Sequence, residues 1–339
     1  MTTTTRIRMA RRLAGPVVLS IAIGTLLLAV PPLHGVARQI GRMHANWVLV
    51  AVALELASCA GFVVIFRLFF DEVPAGAARE LAWAEEGSGA LLPGGGVGAL
   101  ALGGLLLRRL GMSTRVIVER SSALFFLTSA VNVAAVVGGG ALLAVGGGGA
   151  PYVVLPIAGG LIAAAGALAM PIVIRRLPER PWPSALVDLA AGITRARRSL
   201  VRPSWRLGGA LAYLGFDIAA LGATFAAAGH PLPMAPLVLG YLIGYLANLI
   251  PVPGGFGVLE GGLAGSLIAY GAPATQAAAA VVVYHAIAFW IPSLGGLSGY
   301  ALLRRRLAGA EPTRRRGRVS AGPRLRPAQL AAVHAEHPA

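Results

Sequence analysis

The chain has 339 residues, 56% of them hydrophobic and only 12% charged, with a mean hydropathy of +0.74. That excludes an ordinary soluble domain, because several stretches exceed the ~18 apolar residues that mark a membrane-spanning helix. All 29 basic residues are arginine, which excludes a P-loop lysine, a Schiff-base lysine and any lysine nucleophile, and the net charge of +16 sits in clusters between apolar runs, a topological pattern rather than a nucleic-acid surface.

Residues 1–13 are polar and basic, with Arg6, Arg8, Arg11 and Arg12 ahead of an apolar run from Gly15 to Val30. The run resembles the core of a signal peptide, but further spans follow, so an uncleaved first helix with a cytoplasmic amino end is expected. His34, Arg38, Arg42 and His44 then form a polar connection that runs against the positive-inside rule and reads as an interfacial helix on the outer surface. Asn46 to Phe70 is a second span carrying Glu55, which reads either as a carboxylate near the outer interface or as a functional group. It also holds Cys59, the only cysteine, so no intramolecular disulfide or cysteine-based metal site forms. Asp71, Glu72, Arg79, Glu80, Glu85 and Glu86 read as a return to water.

Leu92-Pro93-Gly94-Gly95-Gly96-Val97-Gly98 breaks the next apolar stretch, and a similar break recurs in Asn248-Leu-Ile-Pro251-Val-Pro253-Gly254-Gly255-Phe-Gly257-Val-Leu-Glu260. Prolines remove backbone donors and push the preceding residue out of helical geometry, while glycines permit positive φ, so no continuous helix passes through either segment. Pro93 and Gly111 are separated by the same interval as Pro253 and Gly271, an internal repeat with an offset of 160 residues. Arginines flank the first break, and none occurs between Arg206 and Arg304. The two copies therefore face opposite sides of the membrane. Broken backbone survives in a bilayer only where protein or a watery cavity satisfies it, so both breaks are expected inside the bundle, meeting near its midplane.

Ser121 to Val145 and Tyr152 to Ile174 read as spans joined by an uncharged glycine turn. Residues 175–206 form an Arg-rich cytoplasmic connection whose part from Ser184 to Leu200 is amphipathic and lies on the membrane surface, its arginines either solvated or against anionic headgroups. Leu207 to Ala228 is a span carrying Asp217, and Gln276 to Leu303 is the last span. Residues 310–339 read as a disordered, basic cytoplasmic tail. The expected fold is therefore an all-α polytopic membrane protein of about six transmembrane helices plus two re-entrant broken-helix hairpins arranged as inverted repeats. Its membrane domain covers 14–309, with the first repeat at about 47–174 and the second at about 207–303. Both termini are expected in the cytoplasm of a cell whose plasma membrane the chain crosses.

Pro253-Gly254-Gly255-Phe256-Gly257-Val258-Leu259-Glu260, followed by Gly271, Tyr284-His285 and Phe289-Trp290-Ile-Pro292, resembles the signature of the lysylphosphatidylglycerol synthase transmembrane-region family. Members often carry arginine after the tyrosine where this chain has His285. The resemblance implies a flippase-like domain that moves a phospholipid or lipid-linked molecule across the membrane. Some relatives carry a fused soluble aminoacyltransferase domain, and none is expected here.

The expected substrate site is drawn from both breaks. Helix amino ends after Pro93, Gly94 and Gly95 and around Asn248, Pro251, Pro253, Gly254, Gly255 and Gly257 present free N–H groups suited to a phosphate, so the expected lipid is anionic. Arg109, Arg115 and Arg120 are candidates to add positive charge. Glu260 is expected where the repeats meet, partnered by His285, by backbone N–H groups, by water or by an arginine such as Arg109 or Arg115, and Glu260→Gln is expected to abolish transport. The alternative places Glu260 at the outer interface.

Two other classes remain open. One is a membrane-embedded partner for a separate lipid-modifying enzyme or glycosyltransferase. The other is an intramembrane enzyme using Asp217, Glu260, His230 and His285, whose spacing matches no metal motif. The favoured reading has no catalytic residue, metal, cofactor or nucleic-acid partner.

Overall fold

Gly111 and Gly271 each end a helix in the left-handed region, both with φ of 95°. At the first, Gly111 N donates to Arg108 O and Met112 N to Leu107 O; at the second, Gly271 N donates to Ile268 O and Ala272 N to Leu267 O. The two closures match bond for bond. Each is the paired hydrogen-bond motif that a glycine past the helix end makes possible without steric cost.

The computed structural model describes residues 34–92, 96–147, 150–177, 182–250 and 252–319, with backbone only at 97, 150–152, 249, 253 and 309–319. Eleven helices make up this part: α1 His34–Gly41, α2 Ala45–Phe69, α3 Ala75–Leu91, α4 Gly96–Arg109, α5 Thr114–Val145, α6 Ala150–Arg176, α7 Ser184–Val201, α8 Gly208–Ala227, α9 Met234–Gly244, α10 Val258–Ala269 and α11 Ala274–Val319. Short 3-10 turns lie at Trp205–Leu207, Tyr245–Leu249 and Pro253–Gly255, and no strand occurs among the described residues. Five segments are long and apolar enough to cross a membrane: Ala45–Phe69, Thr114–Val145, Val153–Arg176, Trp205–Ala227 and Ala274–Ala308. The expected first span at 15–30 lies outside the described residues, as does the tail from 320. The last helix runs on to Val319, past the boundary at 309 drawn from composition.

Helix starts repeat along the chain. The segments beginning at Ala45, Ala75, Gly96 and Thr114 are followed about 160 residues later by segments beginning at Trp205, Met234, Val258 and Ala274. Packing repeats too: α5 lies on α9, and its counterpart α11 lies on α3, so each long helix crosses onto the opposite half. Small residues permit the approach. A Cβ at Gly299 would meet Glu80 O at 2.6 Å, and one at Gly139, 160 residues earlier, would meet Leu239 Cγ at 3.3 Å.

Helices α2 and α8 form the centre and run antiparallel. His44 N donates to Ala227 O at 3.0 Å, Ser58 Oγ to Tyr213 O at 2.8 Å and Arg206 Nη1 to Arg67 O at 3.0 Å, while a Cβ on Gly61 would lie 2.7 Å from Tyr213 N. Bulky apolar side chains remain on the outside, including Leu49, Phe125, Leu155 and Ile162, as expected of a surface facing lipid tails.

One end of the bundle collects most of the described arginines, while Arg38 and Arg42 lie at the other. Arg120 donates to Phe69 O at the carboxyl end of α2 and to Glu72, at 3.0 and 2.6 Å; Arg195 reaches Glu119 at 2.6 Å, and Arg306 grips both oxygens of Glu80. Helix α7 packs on α5 and α6 at this end.

Candidate functional site

A cavity of about 360 Å³ lies between the halves. Its polar wall comes from Glu55 and Ser58 of α2, Glu85 and Glu86 of α3, Asn132 of α5, Tyr213 and Asp217 of α8, Tyr245 and Asn248 of the turn after α9, and Tyr284 and His285 of α11. Four carboxyl groups face this space, and among the described residues no arginine lines it.

The second break builds one side. Helix α9 ends at Gly244, the chain tightens through Tyr245–Leu249, and Ile250 and Val252 are extended, at ψ of 121° and 130°. Gly254 follows at φ 68°, where a Cβ would also lie 2.5 Å from the Phe256 ring, so only glycine fits. Helix α10 then starts after Gly257, at φ 81°. The turn at Pro253–Gly255 touches α3, so broken backbone of one half rests on the corresponding helix of the other. Leu92 is extended at ψ 146° and α4 begins at Gly96, which leaves the break at 93–95, with Pro93, Gly94 and Gly95, outside the described residues. Pro251 also lies outside them.

Glu260 and His285 brace the break. Glu260 Oε2 accepts from Gly257 N at 2.6 Å, satisfying a free donor at the start of α10, and Oε1 lies 2.8 Å from His285 Nδ1. On the other side of the ring, His285 Nε2 donates to Gly254 O at 2.9 Å. His285 Nδ1 makes no well-aligned hydrogen bond at this distance from Glu260. Of the partners expected for Glu260, the structure supplies His285 and a backbone N–H.

The arginine candidates are placed elsewhere. Arg109 is exposed at the end of α4, Arg115 is exposed beside Asp188 at 3.8 Å, and Arg120 is buried against Phe69 O and Glu72. None of the three lines this cavity; Arg109 and Arg115 sit at helix ends, and Arg120, in the second turn of α5, places its guanidinium at the carboxyl end of α2, where a cation complements the carbonyl groups. Asn248, Gly254 and Gly255 do line the cavity. A correction concerns Glu80, Glu85 and Glu86, read from sequence as a return to water. Glu80 and Glu85 are buried, and both Glu85 and Glu86 face the cavity.

The structure also assembles a cluster that spacing along the chain does not reveal. Asp217 Oδ1 accepts from Tyr284 Oη at 2.6 Å and Oδ2 from Tyr241 Oη, and Glu86 and Tyr213 line the same cavity. Glu55 sits against Asp217, takes only a long contact from Cys59 Sγ at 3.9 Å, and leaves Oε2 buried without a donor. The available signal was an acid at the centre of each of two apolar spans, a placement that costs ~2.5–3.5 kcal/mol on insertion scales.

Helices that leave apolar side chains on the outside, enclose a polar cavity and break where they meet it define a polytopic α-helical membrane protein with an internal hydrophilic site. The chain matches the lysylphosphatidylglycerol synthase TM region family over residues 17–296 and belongs to that family. No curated protein matches it.

Proposed function

We propose that the protein moves a lipid or lipid-linked molecule across the plasma membrane, with the polar headgroup passing through the cavity while the acyl or prenyl chains stay outside. The observation that carries this reading is the composition of the cavity wall, which is polar, embedded among spans and drawn from both halves. No catalytic step is needed, and the reading is of a transporter rather than an enzyme.

We read the halves, from Ala45 and from Trp205, as inverted repeats. Their first helices, α2 and α8, correspond at an offset of about 160 residues yet run antiparallel, as a two-fold axis in the membrane plane requires. Helices α3, α4, α9 and α10 have 17, 14, 11 and 12 residues. At 1.5 Å per residue these span ~16 to ~26 Å, short of the ~30 Å hydrocarbon layer, which favours two re-entrant pairs and six full spans counting 15–30. The arginine-bearing end is then cytoplasmic, and so are both termini.

Four carboxyl groups, with no arginine beside them among the described residues, favour a headgroup bearing ammonium or hydroxyl groups over a bare phosphate. The lipid in the family's name carries a cationic lysyl group, which such a wall suits. Contact with anionic phospholipid then falls to Arg175, Arg198 and Arg202, which line a groove of about 570 Å³ between α6 and α7.

The test is a headgroup-accessibility assay in proteoliposomes containing labelled lipids with aminoacyl, sugar or plain phosphatidylglycerol headgroups. Protein-dependent exposure of an aminoacyl or sugar lipid is the expected result. Movement of phosphatidylglycerol alone would overturn the substrate class, and movement of none would overturn translocation.

A further inference from the structure

Corresponding positions in α2 and α8 meet where an antiparallel pair crosses its own axis. The pairs observed along this interface are 44 with 227, 58 with 213 and 67 with 206. With an offset of 160, the level at which a residue faces its own counterpart falls at 55 and 215. Glu55 stands at that level, and Asp217 of α8, two residues past its counterpart, lines the same cavity. An acid on such an axis is equally far, along the protein, from both membrane surfaces.

The two carboxyl groups are unequally served. Asp217 accepts from two tyrosine hydroxyls, which hold a negative charge there, whereas Glu55 Oε2 is buried with no donor and Glu55 as a whole is 5% exposed. An ionised pair side by side repels and leaves that oxygen unsatisfied. A proton on Glu55 removes the repulsion and makes an O–H···O bond to Asp217 possible. The remaining titratable groups around the pair are Cys59 of α2, Glu85 and Glu86 of α3, Tyr213 of α8, Tyr241 of α9, Tyr245 of the following turn, and Tyr284 and His285 of α11. None is a fixed cation, so among the described residues no arginine competes with the proton. Among the described residues no group of three His, Cys, Asp or Glu is arranged to hold a metal ion.

We propose that Glu55 and Asp217 form a proton-binding site open to the cavity, and that its loading and unloading couples headgroup movement to the proton gradient. Water on one side gives a proton to Glu55, the O–H bond forms and turns to Asp217, and after the cavity reopens on the other side the same bond breaks and the proton returns to water. The site stands on the geometry alone; the coupling rests on the translocation reading.

The test treats the full chain in lipid nanodiscs with dicyclohexylcarbodiimide, which reacts with protonated carboxyl groups in apolar surroundings, and locates the adduct by peptide mass spectrometry. The expected adduct is on Glu55, its initial rate falling about tenfold per pH unit on the alkaline side of the transition, with Asp217→Asn shifting that pH profile. No adduct at either residue, or one formed at a pH-independent rate, would overturn the site. Glu55→Gln should lose the adduct; if that variant does not fold, the wild-type profile and Asp217→Asn still decide. In proteoliposomes a pH gradient should accelerate headgroup translocation in one direction. Equal rates with and without the gradient, alongside pH-dependent labelling, would overturn the coupling and leave the site, whereas labelling without movement of any lipid would overturn the translocation reading.

Discussion

The cavity and the arginine-bearing end handle acidic residues in opposite ways. At the end, Glu72, Glu80, Glu119 and Asp188 each have an arginine within 4 Å, which neutralises them and ties one helix to another. In the cavity, Asp217 is held by hydroxyl groups, Glu55 has an oxygen left bare, and no arginine among the described residues lines the wall. An acid locked to an arginine serves as an anchor, while one held by neutral donors keeps the capacity to bind a proton or a cationic group. On the proposed function, the difference gives a structural part to the first set and leaves the second free for proton or headgroup binding.

The largest expected effect comes from removing the cavity's best-served acid. Asp217→Ala leaves the hydroxyls of Tyr241 and Tyr284 without their acceptor in a buried space, at about 1–3 kcal/mol for each orphaned group. Thermal unfolding in detergent should therefore show a loss of about 2–6 kcal/mol, with Asp217→Asn losing less because its amide oxygen still accepts one hydroxyl. A loss no larger than that of the arginine variants would break the contrast.

Arg120→Ala comes next, from the anchoring set. Its guanidinium is buried and bonds both Phe69 O and Glu72, charge-assisted contacts worth about 1.5–3 kcal/mol. The expected signature is lower unfolding temperature with headgroup selectivity unchanged.

Glu260 lies between the two kinds, since it binds a helix amino end and a histidine. Glu260→Ala should cost about 0.5–2 kcal/mol, the range for losing a helix cap, and loosen the break. Glutamine can keep accepting from Gly257 N through its carbonyl oxygen and donate its amide to His285 Nδ1, so Glu260→Gln should stay close to wild type in stability and in translocation. That reverses the outcome expected from sequence, where Glu260→Gln was expected to abolish transport. Loss of translocation in the well-folded glutamine variant would restore a role for the charge.

How much of this was legible beforehand follows from what each residue needs. Pro251, Pro253, Gly254 and Gly257 act through their own backbone, so the second break could be read directly, and the structure breaks α9 from α10 there. The matching helix ends at Gly111 and Gly271 were legible because the same local turn requires glycine at each. Glu85 and Glu86 were misread because their neighbours Asp71, Glu72 and Arg79 suggest water, and only the packing of α3 under α11 carries them inward. The pairing of Glu55 with Asp217 was out of reach, since it depends on the register of two helices far apart in the chain. Arg109, Arg115 and Arg120 were attractive because they flank a break, but proximity in sequence says nothing about which face of the bundle a helix end occupies.

The smallest effect sharpens the comparison most economically. Arg115 has a side chain 82% exposed and meets Asp188 at 3.8 Å through one nitrogen. An exposed, monodentate pair of this kind contributes ~0–1 kcal/mol because water screens the attraction and ordering two side chains costs entropy. Arg115→Ala should therefore shift stability by no more than about 0.5 kcal/mol, shrink further with added salt, and leave headgroup translocation and its pH dependence as in wild type. The same substitution would cost translocation strongly if Arg115 bound a phosphate in the site, as its place beside the first break suggests in the sequence. Measuring translocation of an aminoacyl lipid by wild type and Arg115→Ala in parallel thus separates the two placements, because the anchoring reading requires equal rates and the phosphate-binding reading does not survive them.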